Sequence, residues 1–280
     1  MVRFEGKTGR KRPSLWIWLL VAVAMIPGTV RAEGAVDEVK SFVVQETGTL
    51  GNEALEFAVA PFRTDDGALL GTLAVAGTVG LTYVFDNNIR EKVAARKGHT
   101  LDKATDAGNI IGNPILHLGV AGAVWGGGIL ADSPKWRDVG LMMGEAAVIA
   151  DAATLVLKEA VGRSRPFTGN GKESFRPFQF KSDYDSMPSM HTASSFAMAS
   201  VIARTSESIP VGLLSYTTAA FVGFSRIYQD KHWASDVVLG AAIGELAGRV
   251  VTRFHAGSGK LAVVPAVSTD SASLALVGKF

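Results

Sequence analysis

The chain contains no cysteine, which excludes a disulfide framework, a thiolate metal site and lipid attachment through sulfur. Charge is also scarce: 19% of the 280 residues are Asp, Glu, Lys or Arg, against 48% hydrophobic. With a mean hydropathy of +0.23, the chain is more apolar than most soluble enzymes, yet lean for a fully embedded transporter. No basic stripe follows the first residues, so nucleic acid is not an expected partner. No alternating apolar–polar pattern interrupts the central segments, so they are not expected to form a sheet.

The N-terminus lacks a run long enough to span a bilayer. Arg3, Lys7, Arg10, Lys11 and Arg12 precede a 12-residue apolar stretch from Leu15 to Ile26. Pro27-Gly28 then breaks the helix, and Val30-Arg31-Ala32 offers small residues where a signal peptidase cuts. A spanning helix needs about 20 apolar residues, so residues 1–32 read as a cleaved export leader in preference to a retained anchor. Its removal leaves 22 basic and 25 acidic side chains, changing the net charge from +2 to −3. Part of the basic character therefore belongs to the leader.

Apolar segments of helical length fill most of the rest. The periodicity predicts a short helix around Glu53–Ala60, a helix from Ala68 through the uncharged stretch to Phe85, and helices within Ala107–Ala131, broken by Asn109, Asn113-Pro114 and His117. Further helices are expected over Val139–Ala160, 191–204, 209–225 and from about His232 to 254, which makes an all-α bundle over residues 33–256. The tail, residues 257–280, differs: after Gly257-Ser258-Gly259, two β-prone runs flank Thr269-Asp270 and predict a hairpin. A terminal Phe resembles the end of an outer-membrane strand, but two strands make no barrel.

Three short motifs carry the chemistry: Lys158-x6-Arg165-Pro166, Pro188-Ser189-Met190-His191 and Ser225-Arg226-x5-His232-x3-Asp236. They supply cations, imidazoles and a carboxylate, which suits phosphoryl transfer through histidine. Lys158, Arg165 and Arg226 can neutralise the charge that a phosphoryl group spreads over its equatorial oxygens. Ser189 and the Met190 backbone N–H stand at a helix start, where free amides favour anions. His232 and Asp236 are four residues apart, so Asp236 can accept from one ring nitrogen or orient the ring through the adjoining turn.

In order and in internal spacing, the set resembles the signature of the type 2 phosphatidic acid phosphatase and vanadium haloperoxidase superfamily. The resemblance implies a helical phosphatase with His232 as nucleophile, forming a phosphohistidine, and His191 as general acid and then base. Asp236 would orient His232, while Lys158, Arg165, Ser189, Met190 and Arg226 bind the phosphate. No metal or other cofactor is implied. Met190 departs from the family, which most often has glycine there; the amide survives, so substrate choice is more exposed to this change than catalysis. Arg163 matches no catalytic position and is read as support. Glu145 and Asp151, in an apolar helix, read as interhelical hydrogen-bonding groups.

The 21 residues from Phe167 to Met187 carry Gly169-Asn170-Gly171 and the aromatics Phe167, Phe175, Phe178, Phe180 and Tyr184. They read either as an active-site lid or substrate-facing loop, or as an apolar staple on the bundle. The apolar helices favour a phosphorylated lipid or lipid pyrophosphate as substrate, with the protein at a membrane of a bacterial cell envelope and its site facing the periplasm. A periplasmic phosphatase of small phosphoesters, a vanadate-dependent haloperoxidase and a non-catalytic envelope protein are the rivals. Oligomeric state stays open.

Overall fold

The computed structural model describes residues 32–64, 67–258, 261–267 and 272–278. Apart from Ala32, the expected leader lies outside these residues. The chain divides after Thr47 into two units. Of the first, residues 32–47 are helical and belong to α1 (Ala32–Val59).

The second unit holds the rest of α1, followed by α2 (Ala68–Ala94), α3 (His99–Ile111), α4 (Pro114–Leu130) and α5 (Pro134–Val161). After the long loop come α6 (Met190–Thr205), α7 (Ile209–Tyr228) and α8 (Ala234–Arg253), then strands β1 (Leu261–Val267) and β2 (Ala272–Gly278). The all-α expectation holds, with longer elements: the short helix expected at Glu53–Ala60 is the end of α1, and α2 continues nine residues past Phe85. The expected interruption between α3 and α4 is a 56° bend. Asn113 makes it by accepting from the Ile115 and Leu116 amides, with Pro114 opening the next helix. The tail pairs antiparallel, with Leu261 opposite Gly278 and Val267 opposite Ala272.

The core lies between α5, α6 and α8, with contributions from α4, and small side chains dominate it. Ala146, Ala147, Ala150, Ala193, Ala197 and Ala247 are buried, with Met142, Met143 and Met198 filling the gaps. By contrast, α2 turns Leu70, Leu73, Leu81, Val84 and Phe85 outward. Helices α2 and α5 are long and apolar enough to cross a membrane, and the bent α3–α4 pair meets the same criterion taken together.

The approach of α8 to α6 depends on Gly240, Gly244 and Gly248, spaced four apart on one face of α8. A Cβ on Gly244 would lie 2.1 Å from the Ala193 carbonyl oxygen, and one on Gly240 2.5 Å from that of Ser189. Backbone cannot yield as a flexible side chain can, so Gly244→Ala must push the two helices apart. Thermal unfolding in detergent should show the variant destabilised by about 1–3 kcal/mol.

Candidate active site

Lys158 lies in the last turn of α5, which ends at Gly162. Gly162 adopts a left-handed φ of 59°, and a Cβ there would come within 2.1 Å of the Arg176 carbonyl oxygen. Only glycine meets both constraints. The chain then turns into 163–165, which a returning strand of the loop flanks. Arg176 N–H bonds the Gly162 carbonyl at 2.7 Å, Ser164 N–H the Ser174 carbonyl at 2.8 Å, and Arg165 N–H the Asp183 carbonyl at 2.9 Å. The loop is thus stitched to the first motif by backbone bonds, where the staple reading expected apolar contacts. Its fastening is polar, and Phe167, Phe175, Phe178 and Phe180 remain exposed.

Arg163, read from the sequence as support, holds a buried ionic network whose extent was not expected. Its side chain is 0% exposed, and so is that of its partner Asp86. The guanidinium donates to Asp236 Oδ1 at 2.6 Å, Ser235 Oγ at 2.8 Å, Asp86 Oδ2 at 2.8 Å and the Lys172 carbonyl at 3.1 Å. Tyr83, Trp233 and Phe175 rings surround it, 4.8, 5.4 and 5.8 Å from ring centre to guanidinium carbon. Asp86 also accepts from the Ser235 amide at 2.9 Å and its hydroxyl at 2.6 Å. Sequence reasoning passed over Asp86 entirely; one carboxylate near the end of an apolar stretch was the only signal it offered.

Asp236 serves this network and the histidine together. Its Oδ2 accepts from Ser186 Oγ at 2.6 Å and from the Trp233 amide at 2.9 Å, which caps α8. It does not accept directly from His232: His232 Nδ1 stands 3.8 Å from Asp236 Oδ2 and instead meets the Ser186 carbonyl at 2.6 Å. Of the two modes open from spacing, orientation through the neighbouring turn is therefore the one formed. A carbonyl oxygen only accepts, so Nδ1 carries the proton and Nε2 presents its lone pair.

The second motif meets the third through backbone, with the Ser189 amide donating to the Asp236 carbonyl at 3.0 Å. Ser189 is buried, and its Oγ accepts from Thr192 Oγ1 at 2.9 Å. The first intrahelical bond of α6 runs from Ala193 N–H to the Ser189 carbonyl, so the Met190, His191 and Thr192 amides precede it. Met190 takes an ordinary negative φ, so the side chain is accommodated without strain.

The cations converge on the same region. Lys158 Nζ donates to the Asp185 carbonyl, and Arg165 Nε to Asp185 Oδ1 at 2.6 Å. Arg226 donates to Asn109 Oδ1, and its buried Nε has no acceptor among the described residues. Burial, followed by the charges of Lys158, Arg165 and Arg226, holds His232 well below the ordinary imidazole pKa. Burial and the same cations, Arg226 foremost, push His191 down to about 3. Burial raises the Asp185 carboxyl, but the Arg165 hydrogen bond and the Lys158 and Arg165 charges outweigh it and leave the pKa lowered. Both imidazoles are thus neutral at pH 7 in a pocket of positive charge.

Glu145 and Asp151 lie apart from this group in their bonding. Asp151 accepts from Ser194 at 3.4 Å, and Glu145 pairs with His255 at 2.7 Å, both between helices as expected.

Comparison with known proteins places these motifs in context. The PAP2 superfamily profile matches residues 139–260, which contain all three. The lipid A 1-phosphatase of Porphyromonas gingivalis is 31% identical over 61% of this chain and 35% of its own length. That of Rhizobium johnstonii is 34% identical over 32% of this chain and 36% of its own. The chain thus spans about a third of the length of these two curated relatives. Among solved structures, a transmembrane PAP2 type phosphatidylglycerolphosphate phosphatase from Bacillus subtilis superposes with a TM-score of 0.54 at 22% identity. The match covers 68% of this chain and 94% of that one, and it shows a shared fold.

Removing Arg163 would leave two buried carboxylates without their cation. Arg163→Met should lower stability by about 3–5 kcal/mol. Arg163→Lys should recover only part, because an ammonium cannot span Asp86 and Asp236 as the fork does. Thermal unfolding of the two variants beside wild type checks both.

Proposed function

We propose, on the premise that residues 139–260 are a PAP2 superfamily domain, that the chain is a phosphatase of a phosphorylated lipid in a bacterial cell envelope. The observation that carries this reading is His232: neutral, fixed by Nδ1 to the Ser186 carbonyl, and set among three cations. An imidazole lone pair in a positive pocket is what attack on a phosphate dianion requires.

In this reading Lys158, Arg165 and Arg226 take the phosphoryl oxygens, with the Ser189 hydroxyl and the Met190 amide at the start of α6. Asp185, the present partner of Lys158 and Arg165, holds them in place beside the incoming anion. His232 Nε2 attacks phosphorus in line, the N–P bond forms and the bond to the leaving oxygen breaks. His191 donates its proton to that oxygen. It must first gain this proton, and the phosphate's negative charge offsets the cations that otherwise keep the ring neutral. Water then attacks the phosphohistidine, and His191 takes the water's proton as phosphate leaves. Asp236 acts through Ser186 to keep His232 in its productive tautomer.

A lipid substrate is supported by the outward apolar surface of α2 and by relatives that are lipid A 1-phosphatases. A site facing the periplasm accords with the leader expected at residues 1–32. The discriminating assay is phosphate release, with EDTA present, from a detergent-dispersed lipid phosphate beside p-nitrophenyl phosphate. Preference for the lipid supports the reading; equal or better use of the small ester replaces it with a soluble-ester phosphatase. His232→Ala should abolish release from both substrates while leaving the thermal transition intact, and wild-type turnover by that variant would refute the mechanism. His191→Ala should slow hydrolysis of an alkyl phosphate by roughly 10²–10⁴-fold. It should slow p-nitrophenyl phosphate far less, since nitrophenolate departs without a proton.

A further inference from the structure

Two phenylalanines of the 167–187 loop are displayed to the outside on a backbone that resists doing so. Phe178 is 65% exposed and Phe180 75%. Both have left-handed φ angles, 58° and 51°, a region that bulky side chains seldom enter. Neither is a loose tip. Phe178 N–H bonds the Glu159 carbonyl at 2.7 Å, and Phe180 N–H bonds the Glu159 carboxylate at 3.0 Å. One residue in the last turn of α5 therefore holds both rings on a ledge. In water, nothing is gained by fixing two aromatic rings outward.

The position of the ledge identifies what they face. Glu159 follows Leu155 and Val156, which are exposed on a helix long enough to span a bilayer. The rings thus stand where that apolar surface ends, the level at which Phe and other apolar side chains enter the headgroup–acyl boundary of a bilayer. From 172 to 181, Lys172, Arg176 and Lys181 stand against Glu173, with the Glu159 carboxylate at the Phe180 amide. Basic residues beside an aromatic pair complement anionic headgroups. The same loop reaches the phosphate grip directly, because the Asp183 carbonyl accepts from the Arg165 amide and Asp185 from its side chain.

We infer that Phe178 and Phe180 form an interfacial anchor that inserts into the headgroup region of an anionic bilayer and sets the height of the active site against the lipid phosphates. The inference rests on the lipid reading for its purpose, but its placement can be tested alone. Because the chain has no cysteine, Phe180→Cys can carry a single environment-sensitive fluorophore on the full chain reconstituted in phosphatidylglycerol–phosphatidylcholine vesicles. A blue-shifted probe quenched by lipids bearing a nitroxide near the headgroup is expected. A probe that aqueous iodide quenches freely and those lipids do not would overturn the anchor. In addition, Phe178→Ser/Phe180→Ser should lose about tenfold in hydrolysis of a vesicle-embedded lipid phosphate. Hydrolysis of p-nitrophenyl phosphate should be unchanged. An equal loss on both substrates, or none on either, counts against the anchor. Should wild type hydrolyse neither, the proposed activity fails while the fluorophore still decides where the rings lie.

Discussion

The buried pairing of Arg163 with Asp86 and Asp236 is the constraint on which the site depends. One guanidinium joins the C-terminal half of α2, the start of α8 and the segment after α5, and three aromatic rings exclude water from it. Buried ions are costly unless their hydrogen-bonding groups are satisfied. Here Ser235, Ser186, the Trp233 amide and the Lys172 carbonyl complete the set. With one oxygen of Asp236 committed to Arg163, the other is placed to hold Ser186, whose carbonyl orients His232. The backbone carbonyl of Asp236 meanwhile receives the Ser189 amide. A single residue thus registers the second and third motifs against each other, and Arg163 registers that residue.

Around this frame the electrostatics are deliberately unbalanced. Three cations face two imidazoles kept neutral, and among the described residues the one carboxylate bonded to them, Asp185, engages only Arg165 through its side chain. Such a pocket is poorly stabilised by its own groups and is relieved by an incoming dianion. The same dianion restores the tendency of the imidazoles to hold a proton. In the proposed mechanism binding and proton supply are then linked: the charge that fills the site also arms His191 as the acid.

Much of this was legible from sequence because helical periodicity and motif spacing are local signals. The helices and the break at Asn113-Pro114 follow from residue types at short range, whereas the grouping of Lys158, Arg165, His191, Arg226 and His232, up to 74 residues apart, was implied only by the resemblance of three motifs to a known family. The Arg163 network did not follow, because its partners lie 77 and 73 residues away and no local pattern links them. The direct His232–Asp236 bond failed for a different reason. Four-residue spacing brings side chains together only on one helix, and α8 begins at Ala234, so His232 lies in the turn before it. The fastening of the 167–187 loop to 162–165 was not legible either, because backbone bonds leave no trace in composition.

The distance between the two histidine motifs is finally a matter of glycine. The Ser189–Asp236 backbone bond requires the start of α6 to lie against the first turns of α8, where Gly240 leaves room for the Ser189 carbonyl. Gly244 and Gly248 continue that contact along Ala193, Ala197 and Ser200. Small residues allow backbones to approach closely where apolar bulk would hold them apart. The alanine-rich core therefore sets the geometry of the site as well as the packing. It draws α6 and α8 close enough for one backbone hydrogen bond to couple the helix that bears His191 to the turn that carries His232, and a wider helix spacing would separate the two imidazoles even with every motif residue intact.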